Sequence, residues 1–246
     1  MKAMVEMQFA DFVSCGFNQI VNNLAKINYR WGAPADVVIR MPTGGTVGAG
    51  PFHSQSNEAW FFHVPGLKIL YPSTPDDAKG LLISAFQDPN PVMFFEHKGL
   101  YRKINGQVPT GLYSTPIGKA KKLRSGSDAA IITYGMGVHW AISYAEESPY
   151  KISILDLRTL APLDWQAVEE IVKYTNRVLV LHEDNLTGGI GAEISAYISE
   201  HLFDYLDAPV KRLGAIDTPV PFNPKLEEQY MPNDRLKKAM EELILF

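Results

Sequence analysis

The sequence predicts an α/β protein with two parallel-sheet units. Short apolar runs alternate with longer amphipathic segments along most of the chain, which is typical of parallel strands joined by crossover helices. This alternation is interrupted once, over residues 99–127, where glycine and proline are frequent and several basic residues lie close together. We therefore expect two domains, residues 1–110 and 125–246, joined by a linker over residues 111–124.

The first unit is expected to begin with one long amphipathic helix over residues 6–28, with no strand before it, because apolar side chains recur there at helical spacing. The segment Trp31–Pro34 ends this helix, and a buried strand over residues 36–41 follows. A glycine-rich loop, Pro42–Ser56, leaves the carboxyl end of that strand. Glycines at such a place let a ligand or a partner chain approach the backbone closely.

The rest of the first unit continues the alternation. Thr74 precedes a helix that has Pro75 at its first position and two aspartates in its first turn, and these are helix-start signals. The elements predicted after the loop are a helix over 56–63, a strand over 67–71, a helix over 75–87 and a strand over 91–96.

The second unit repeats the pattern, and the connection over residues 99–127 that precedes it is expected to have edge-strand character. The predicted strands are 129–134, 151–156, 177–181 and 210–213, and the predicted helices are 138–148, 164–175, 190–206 and 233–244. Open parallel sheets bind ligands beyond the carboxyl ends of their strands, so the loops at those ends are the expected place for a site.

Composition and charge argue against several classes of protein. A hydrophobic content of 46% in 246 residues excludes intrinsic disorder, and a net charge of −4 makes nucleic acid an unexpected partner. The single cysteine, Cys15, excludes an intrachain disulfide, which fits a reducing compartment. No apolar run is long enough for a membrane span, and the amino terminus does not resemble a signal peptide. We therefore expect a soluble, cytoplasmic protein with no membrane partner.

His53 is the candidate catalytic residue that the chain itself suggests. It lies near the end of the glycine-rich loop among hydroxyl and amide side chains, and an imidazole can act as an acid or a base near neutral pH. The alternative is a structural histidine that caps the following helix. His97 and His182 follow predicted strands and are weaker candidates, while His139 and His201 are expected on helix surfaces.

Several other catalytic and cofactor-binding motifs are incomplete or absent in the sequence. Gly189 and Gly191 follow a strand and open a helix, but the third glycine of a dinucleotide fingerprint is replaced by Ile194. The sequence contains no Walker A, G-x-S-x-G or H-E-x-x-H pattern, and no spacing typical of transition-metal ligands.

A set of ordered blocks carries the strongest indication of function: Glu6–Phe12, Pro42–Ser56, Pro65–Lys68, Asp77–Leu82, Phe95–Arg102, Asp156–Pro162 and His182–Ile194. In this order and at this spacing they resemble the β subunit of the thiamine-diphosphate-dependent 2-oxo acid dehydrogenase component. The resemblance runs from residue 5 to the carboxyl terminus and is greatest to the branched-chain (2-oxoisovalerate) type, with the pyruvate type next.

The resemblance implies a fold, partners and a reaction. Residues 1–110 would be a transketolase-like pyrimidine-binding domain, and residues 125–246 a transketolase C-terminal-like domain. The partners would be an α subunit, in a heterotetramer or a fused equivalent, and the lipoyl acyltransferase core. Thiamine diphosphate would be shared with the α subunit, which holds the magnesium ion and the diphosphate. The enzyme would decarboxylate a small 2-oxo acid and reductively acylate lipoyl-lysine.

The resemblance also implies roles for individual residues. His53 matches the histidine near the thiazolium that helps to pass the acyl group to lipoyl-lysine. Gln8 and Phe12, four residues apart on one face of the predicted helix, match positions that approach the aminopyrimidine, although tyrosine is more usual at position 12. Plain helix packing is the alternative for these two.

A potassium ion is implied as well. In some relatives such an ion is held by oxygens near the positions of Val37, Ala85, Asp88 and Asn90, and among these Asp88 and Asn90 supply candidate side-chain ligands.

Family members carry a further amino-terminal segment, which includes a glutamate that hydrogen-bonds the aminopyrimidine. This chain begins after it, so the resemblance implies a chain that lacks this segment and does not bind or activate thiamine diphosphate alone. Two alternatives stay open. One is a transketolase-like ketol transferase module, and the other is a non-catalytic docking fragment for the acyltransferase core that presents the apolar end of helix 233–244.

Overall fold

The computed structural model describes residues 2–246 and contains two five-stranded sheets. The first has the order β1-β2-β4-β3-β8, with strands Ala3–Glu6 (β1), Val37–Thr43 (β2), Lys68–Leu70 (β3), Val92–His97 (β4) and Thr159–Ala161 (β8). The second has the order β10-β9-β6-β7-β5, with strands Lys121–Arg124 (β5), Ala129–Thr133 (β6), Ile152–Asp156 (β7), Val178–Asn185 (β9) and Lys211–Ala215 (β10). Neighbouring strands are parallel except in the pairs β3–β8 and β5–β7. The predicted α/β class is confirmed.

Helices connect the strands and cover the sheets. They are Ile27–Trp31 (α1), Ala59–Phe62 (α2), Pro75–Gln87 (α3), Met136–Glu147 (α4), Trp165–Thr175 (α5), Gly191–His201 (α6), Pro224–Tyr230 (α7) and Asn233–Ile244 (α8). No helix within residues 2–246 has the length and apolar character that a membrane span needs.

The amino-terminal segment differs from the expected single helix. Residues Ala3–Glu6 form β1, which pairs in parallel with β2 so that Glu6 lies opposite Arg40. Helical backbone starts only at Ala10 and is divided into a 3-10 helix over Ala10–Gly16, a π-helix over Gln19–Leu24 and then α1. The prediction of a helix starting at residue 6 was wrong because β1 is an exposed edge strand, whose side chains give no periodic burial signal.

Two further elements were not predicted, and both carry tertiary connections. Strand β8 belongs to the second half of the chain but pairs antiparallel with β3, with Ile69 opposite Ala161, and so extends the first sheet. Helix α7 begins after Asn223, whose side chain accepts a hydrogen bond from the Lys225 amide, and Pro224 occupies its first turn. This start signal is present in the sequence, whereas the pairing of β8 depends on how the chain folds back.

One apolar core joins the two sheets. Met41 and Phe95 from the first sheet and Ile132 and Val180 from the second are buried members of the same cluster. Burial of such side chains stabilises the fold by roughly 1.5–3 kcal/mol each. The strand ends that surround the glycine-rich loop are therefore held on a rigid base.

The last helix packs against its own domain. Leu236, Met240 and Leu243 of α8 are buried in the core of the second sheet. Only the final residues, Leu245 and Phe246, leave about three quarters of their surface exposed. The apolar face of α8 is consequently not available for docking.

A buried carboxyl group links the two sheets at the end of β7. Asp156 is fully buried, accepts a hydrogen bond from the Ser73 hydroxyl, and accepts another from the Arg158 amide at 3.1 Å. Burial raises its pKa to about 7, although these hydrogen bonds act in the opposite direction. The folded protein therefore keeps this proton up to about pH 7, while the unfolded chain releases it near the usual aspartate pKa of 3.8.

We expect Asp156→Asn to stabilise the protein above neutral pH. Since the raised pKa makes the wild type lose stability as the pH rises from about 4 to about 7, a neutral side chain of the same shape avoids that loss. The free energy of unfolding at pH 8, measured by urea denaturation, should be higher in the variant by roughly 4 kcal/mol, and the difference should vanish below pH 4. Equal stabilities at pH 8 would contradict this account.

Candidate active site

The ends of the glycine-rich loop meet beyond the carboxyl end of β2. The Gly44 amide and the Thr43 hydroxyl donate hydrogen bonds to the Gln55 carbonyl oxygen at 3.2 and 2.9 Å. Asp11, in the first 3-10 helix, accepts from the Gln55 amide at 3.2 Å and from its side chain at 2.9 Å. The loop is thus closed at its base and tied to the segment that carries the predicted cofactor-binding residues.

His53 lies on this loop with its ring against two phenylalanines. The imidazole packs edge-to-face on Phe9 and Phe12, with ring centroids 4.7 and 5.4 Å apart. It is half-buried and makes no side-chain hydrogen bond to any of residues 2–246. The alternative that His53 caps the following helix is wrong, because α2 begins only at Ala59. Its ring is oriented by packing, and its nitrogens remain available.

Of the two predicted cofactor-binding residues, only Phe12 lies against the His53 ring. Phe12 leaves 40% of its surface exposed beside the imidazole. Gln8 is exposed and precedes the 3-10 helix, so the expectation that both residues share one helix face was wrong. Phe9, which sequence reasoning missed as a site residue, takes the second place against His53.

A carboxylate from the second sheet reaches across to the loop. Glu183, near the end of β9, lies 2.6 Å from the His97 imidazole, which ends β4. The same carboxylate accepts hydrogen bonds from the Gly45 amide at 2.7 Å and from the Ser56 hydroxyl at 3.3 Å. Burial acts to raise the pKa of Glu183, but the His97 imidazole and these hydrogen bonds outweigh it, so the pKa is lowered. Glu183 is therefore held as an anion beneath the loop.

A second carboxylate and one amine complete the floor of the loop. Glu227 of α7 is buried and accepts a hydrogen bond from the Thr46 amide at 2.9 Å. The Lys98 amine is buried without a hydrogen-bond partner among residues 2–246, and it lies 5.6 Å from the Phe9 ring. Burial lowers the Lys98 pKa to about 8, while the carboxylates of Asp11, Glu183 and Glu227 act in the opposite direction.

Three other histidines, His139, His182 and His201, lie elsewhere in the fold. Burial lowers the pKa of His182 to about 4, and its Nδ1 lies 3.0 Å from the Asp184 carbonyl oxygen. His139 was expected on a helix surface, but it is half-buried, with Nε2 2.8 Å from the Ser73 carbonyl oxygen. His201 is exposed at the end of α6, as expected. None of these three lies against the His53 ring.

The side chains predicted to hold potassium bond to each other and to a lysine. Asn90 donates to the Asp88 carboxylate from its amide at 2.9 Å and its side chain at 2.8 Å, and Lys68 forms an ion pair with the other oxygen. In this arrangement both Asp88 carboxylate oxygens already have a partner, Asn90 for one and Lys68 for the other. The potassium site stays a prediction that rests on the resemblance. Among residues 2–246 no cluster of three or more histidine, cysteine, aspartate or glutamate side chains could hold a metal.

The geometry suits proton transfer next to a flat aromatic ligand. Phe12 offers an exposed ring face, and aromatic rings associate favourably at such a face. The His53 imidazole beside it is a group that can donate or accept a proton. The glycine-rich loop can approach a ligand closely because several of its residues lack a Cβ atom.

Comparisons with known proteins agree on the family of both halves. Residues 1–103 match the pyrimidine-binding domain of transketolase, and residues 118–235 match the transketolase C-terminal domain. The chain is 48% identical to the 2-oxoisovalerate dehydrogenase subunit beta of Bacillus subtilis, in an alignment that covers 100% of this chain and 77% of the relative. It is 44% identical to the mitochondrial 2-oxoisovalerate dehydrogenase subunit beta 2 of Arabidopsis thaliana, over 94% of this chain and 66% of the relative.

Two further matches are one sequence relative and one solved structure. The beta subunit of the pyruvate dehydrogenase E1 component of Porphyra purpurea is 44% identical, over 93% of this chain and 70% of the relative. The solved structure of a split-gene transketolase, an inactive beta4 tetramer, superimposes with a TM-score of 0.77 at 20% identity and covers 99% of this chain and 75% of that one. At this identity the structural likeness supports the fold alone.

Proposed function

The chain belongs to the family of 2-oxo acid dehydrogenase β subunits, and from this premise we propose that it forms, with an α subunit, an enzyme that decarboxylates a 2-oxo acid. The substrate is a branched-chain 2-oxo acid or pyruvate. The acyl group passes to lipoyl-lysine of an acyltransferase core, and the location is cytoplasmic. The observation that supports this most is the placement of His53 on the glycine-rich loop beside the exposed ring of Phe12.

The residues present fit an aromatic cofactor. Thiamine diphosphate supplies the electron sink for decarboxylation when it is bound. We propose that Phe12 packs against its aminopyrimidine and that Gln8, exposed at the start of the same segment, contacts the ring edge. Magnesium and the diphosphate are assigned to the α subunit. The domain boundaries stay as proposed, residues 1–110 and 125–246, although β8 connects the second domain to the first sheet.

The role proposed for His53 is proton transfer at an oxygen. During transfer of the acyl group to lipoyl-lysine, its imidazole donates a proton where negative charge develops and takes one back as the transfer is completed. Phe9 and Phe12 restrict the tilt of the ring, so that it is oriented before the substrate arrives.

Cofactor binding and substrate choice test this proposal. In calorimetric titration, thiamine diphosphate should bind saturably when the β subunit is mixed with its α subunit and not to this chain alone. The assembled enzyme should then decarboxylate 2-oxoisovalerate or pyruvate and should not transfer ketol groups between sugar phosphates. Micromolar binding to the isolated chain would contradict the shared site, and ketol transfer would favour the transketolase-like alternative.

A further inference from the structure

We propose that Glu227 of α7 is a positioning residue for His53, acting through the glycine-rich loop; this inference rests on the proposed function of His53. The carboxylate is buried and lies 2.9 Å from the Thr46 amide. Glu227 is 181 residues away from Thr46 along the chain. The contact therefore ties the loop of the first domain to the last part of the second.

The backbone at Thr46 needs such support. Its φ angle is +64°, in the left-handed region that a β-branched residue rarely adopts. Residues in this conformation persist only where surrounding contacts hold them. The Thr46 hydroxyl does not stabilise this conformation, because it is buried without a hydrogen-bond partner among residues 2–246. The hydrogen bond from the Thr46 amide to the Glu227 carboxylate therefore stabilises this backbone conformation, which the Thr46 side chain does not.

The segment from Phe222 to Met231, which contains α7, also packs closely against the glycine-rich loop. A Cβ atom on Gly45 would collide with Met231 and crowd the Glu227 carboxylate, and a Cβ atom on Gly50 would collide with the Phe222 ring. The loop thus contacts this segment on both sides of Thr46, and its next residues lead to His53. Removing the Glu227 carboxylate would remove the hydrogen bond to the Thr46 amide, and Thr46 could then leave its left-handed conformation.

The charge environment fits a carboxylate at this place. Lys98 lies beneath the loop as a buried amine, with Asp11, Glu183 and Glu227 as the carboxylates that act on it. The Glu183 carboxylate likewise accepts a hydrogen bond from the neighbouring Gly45 amide, at 2.7 Å. Two consecutive amides of the loop are therefore bound by carboxylates of the second domain. Removal of Glu183 would also break its pair with His97, whereas the Glu227 carboxylate accepts a hydrogen bond from no residue of 2–246 other than Thr46, so its removal tests the loop contact by itself.

The test compares Glu227→Ala with Glu227→Gln in the β subunit assembled with its α partner. Single-turnover acylation of a lipoyl domain should fall about 10- to 100-fold in the alanine variant. Decarboxylation coupled to an artificial electron acceptor should change by less than about threefold, because that reaction does not need transfer to lipoate. Glutamine keeps an oxygen that can accept from Thr46, so it should restore acylation to within about threefold of the wild type. Glu228→Ala, an exposed neighbour on α7, is the matched control and should have no effect.

A double variant keeps the test informative if Glu227→Ala assembles poorly. Glycine adopts the left-handed conformation without steric cost, so Thr46→Gly should reduce the loss caused by Glu227→Ala. Normal acylation in Glu227→Ala, with acylation abolished in a parallel His53→Ala variant, would overturn the role of Glu227 and leave the proposed function intact. Unchanged acylation in His53→Ala would instead remove the proposed role of His53, on which this inference rests, and a wild-type assembly that acylates no lipoyl domain would refute the proposed function. An equal loss of both reactions in Glu227→Ala would indicate a structural role and would also overturn the inference.

Discussion

Replacing His53 by alanine in the assembled enzyme is expected to lower the rate of lipoyl acylation by about 10²- to 10⁴-fold, the usual contribution of a positioned acid–base group. The imidazole is half-buried against Phe9 and Phe12 and has no hydrogen-bond partner in residues 2–246, so the fold does not depend on its nitrogens. The variant should therefore assemble and bind thiamine diphosphate normally. Rapid-quench measurement of acyl transfer to a lipoyl domain gives the rate.

Two controls make this result specific. His63→Ala removes an exposed histidine at the end of α2, away from the His53 ring, and should leave acylation unchanged. Calorimetric titration of thiamine diphosphate should give similar affinities for the wild type and His53→Ala. Acylation in the His53 variant within about threefold of the wild type would remove this residue from the mechanism.

The second large effect concerns stability and the pair of His97 and Glu183. His97→Ala should lower the free energy of unfolding by about 3–5 kcal/mol, because it leaves the buried Glu183 carboxylate without its partner. Domains of this kind are typically stable by only about 5–15 kcal/mol, so the loss is a large part of the total. It should be visible as a lower urea midpoint with an unchanged slope.

The same pair offers its own internal control. Glutamine at position 183 can still accept a hydrogen bond from the Gly45 amide but carries no charge, so Glu183→Gln in the His97→Ala background should recover part of the lost stability. His201→Ala, at an exposed position on α6, should change stability by less than about 0.5 kcal/mol. A His97→Ala variant as stable as the wild type would show that the carboxylate does not depend on the imidazole.

Part of the candidate site could be predicted from the sequence because its signals are local. The glycines of the loop and the position of His53 after a buried strand are visible in one short stretch. The start of α3 was equally readable from Pro75 and the acidic residues that follow it. The Asn223–Pro224 start signal of α7 is equally local, and it places Glu227 on a helix.

The alternation of apolar runs with amphipathic segments and the loop bearing His53 were determined by the sequence alone, because periodicity and turn chemistry act between near neighbours. The tertiary structure decided the pairing of β1 and β8 and the contacts of Glu183 and Glu227 with the loop. Those carboxylates lie 138 and 181 residues from the amides they bind, and no local pattern encodes such a distance. They meet the loop because the two sheets share one core, which brings the end of β9 and the start of α7 beneath the carboxyl end of β2.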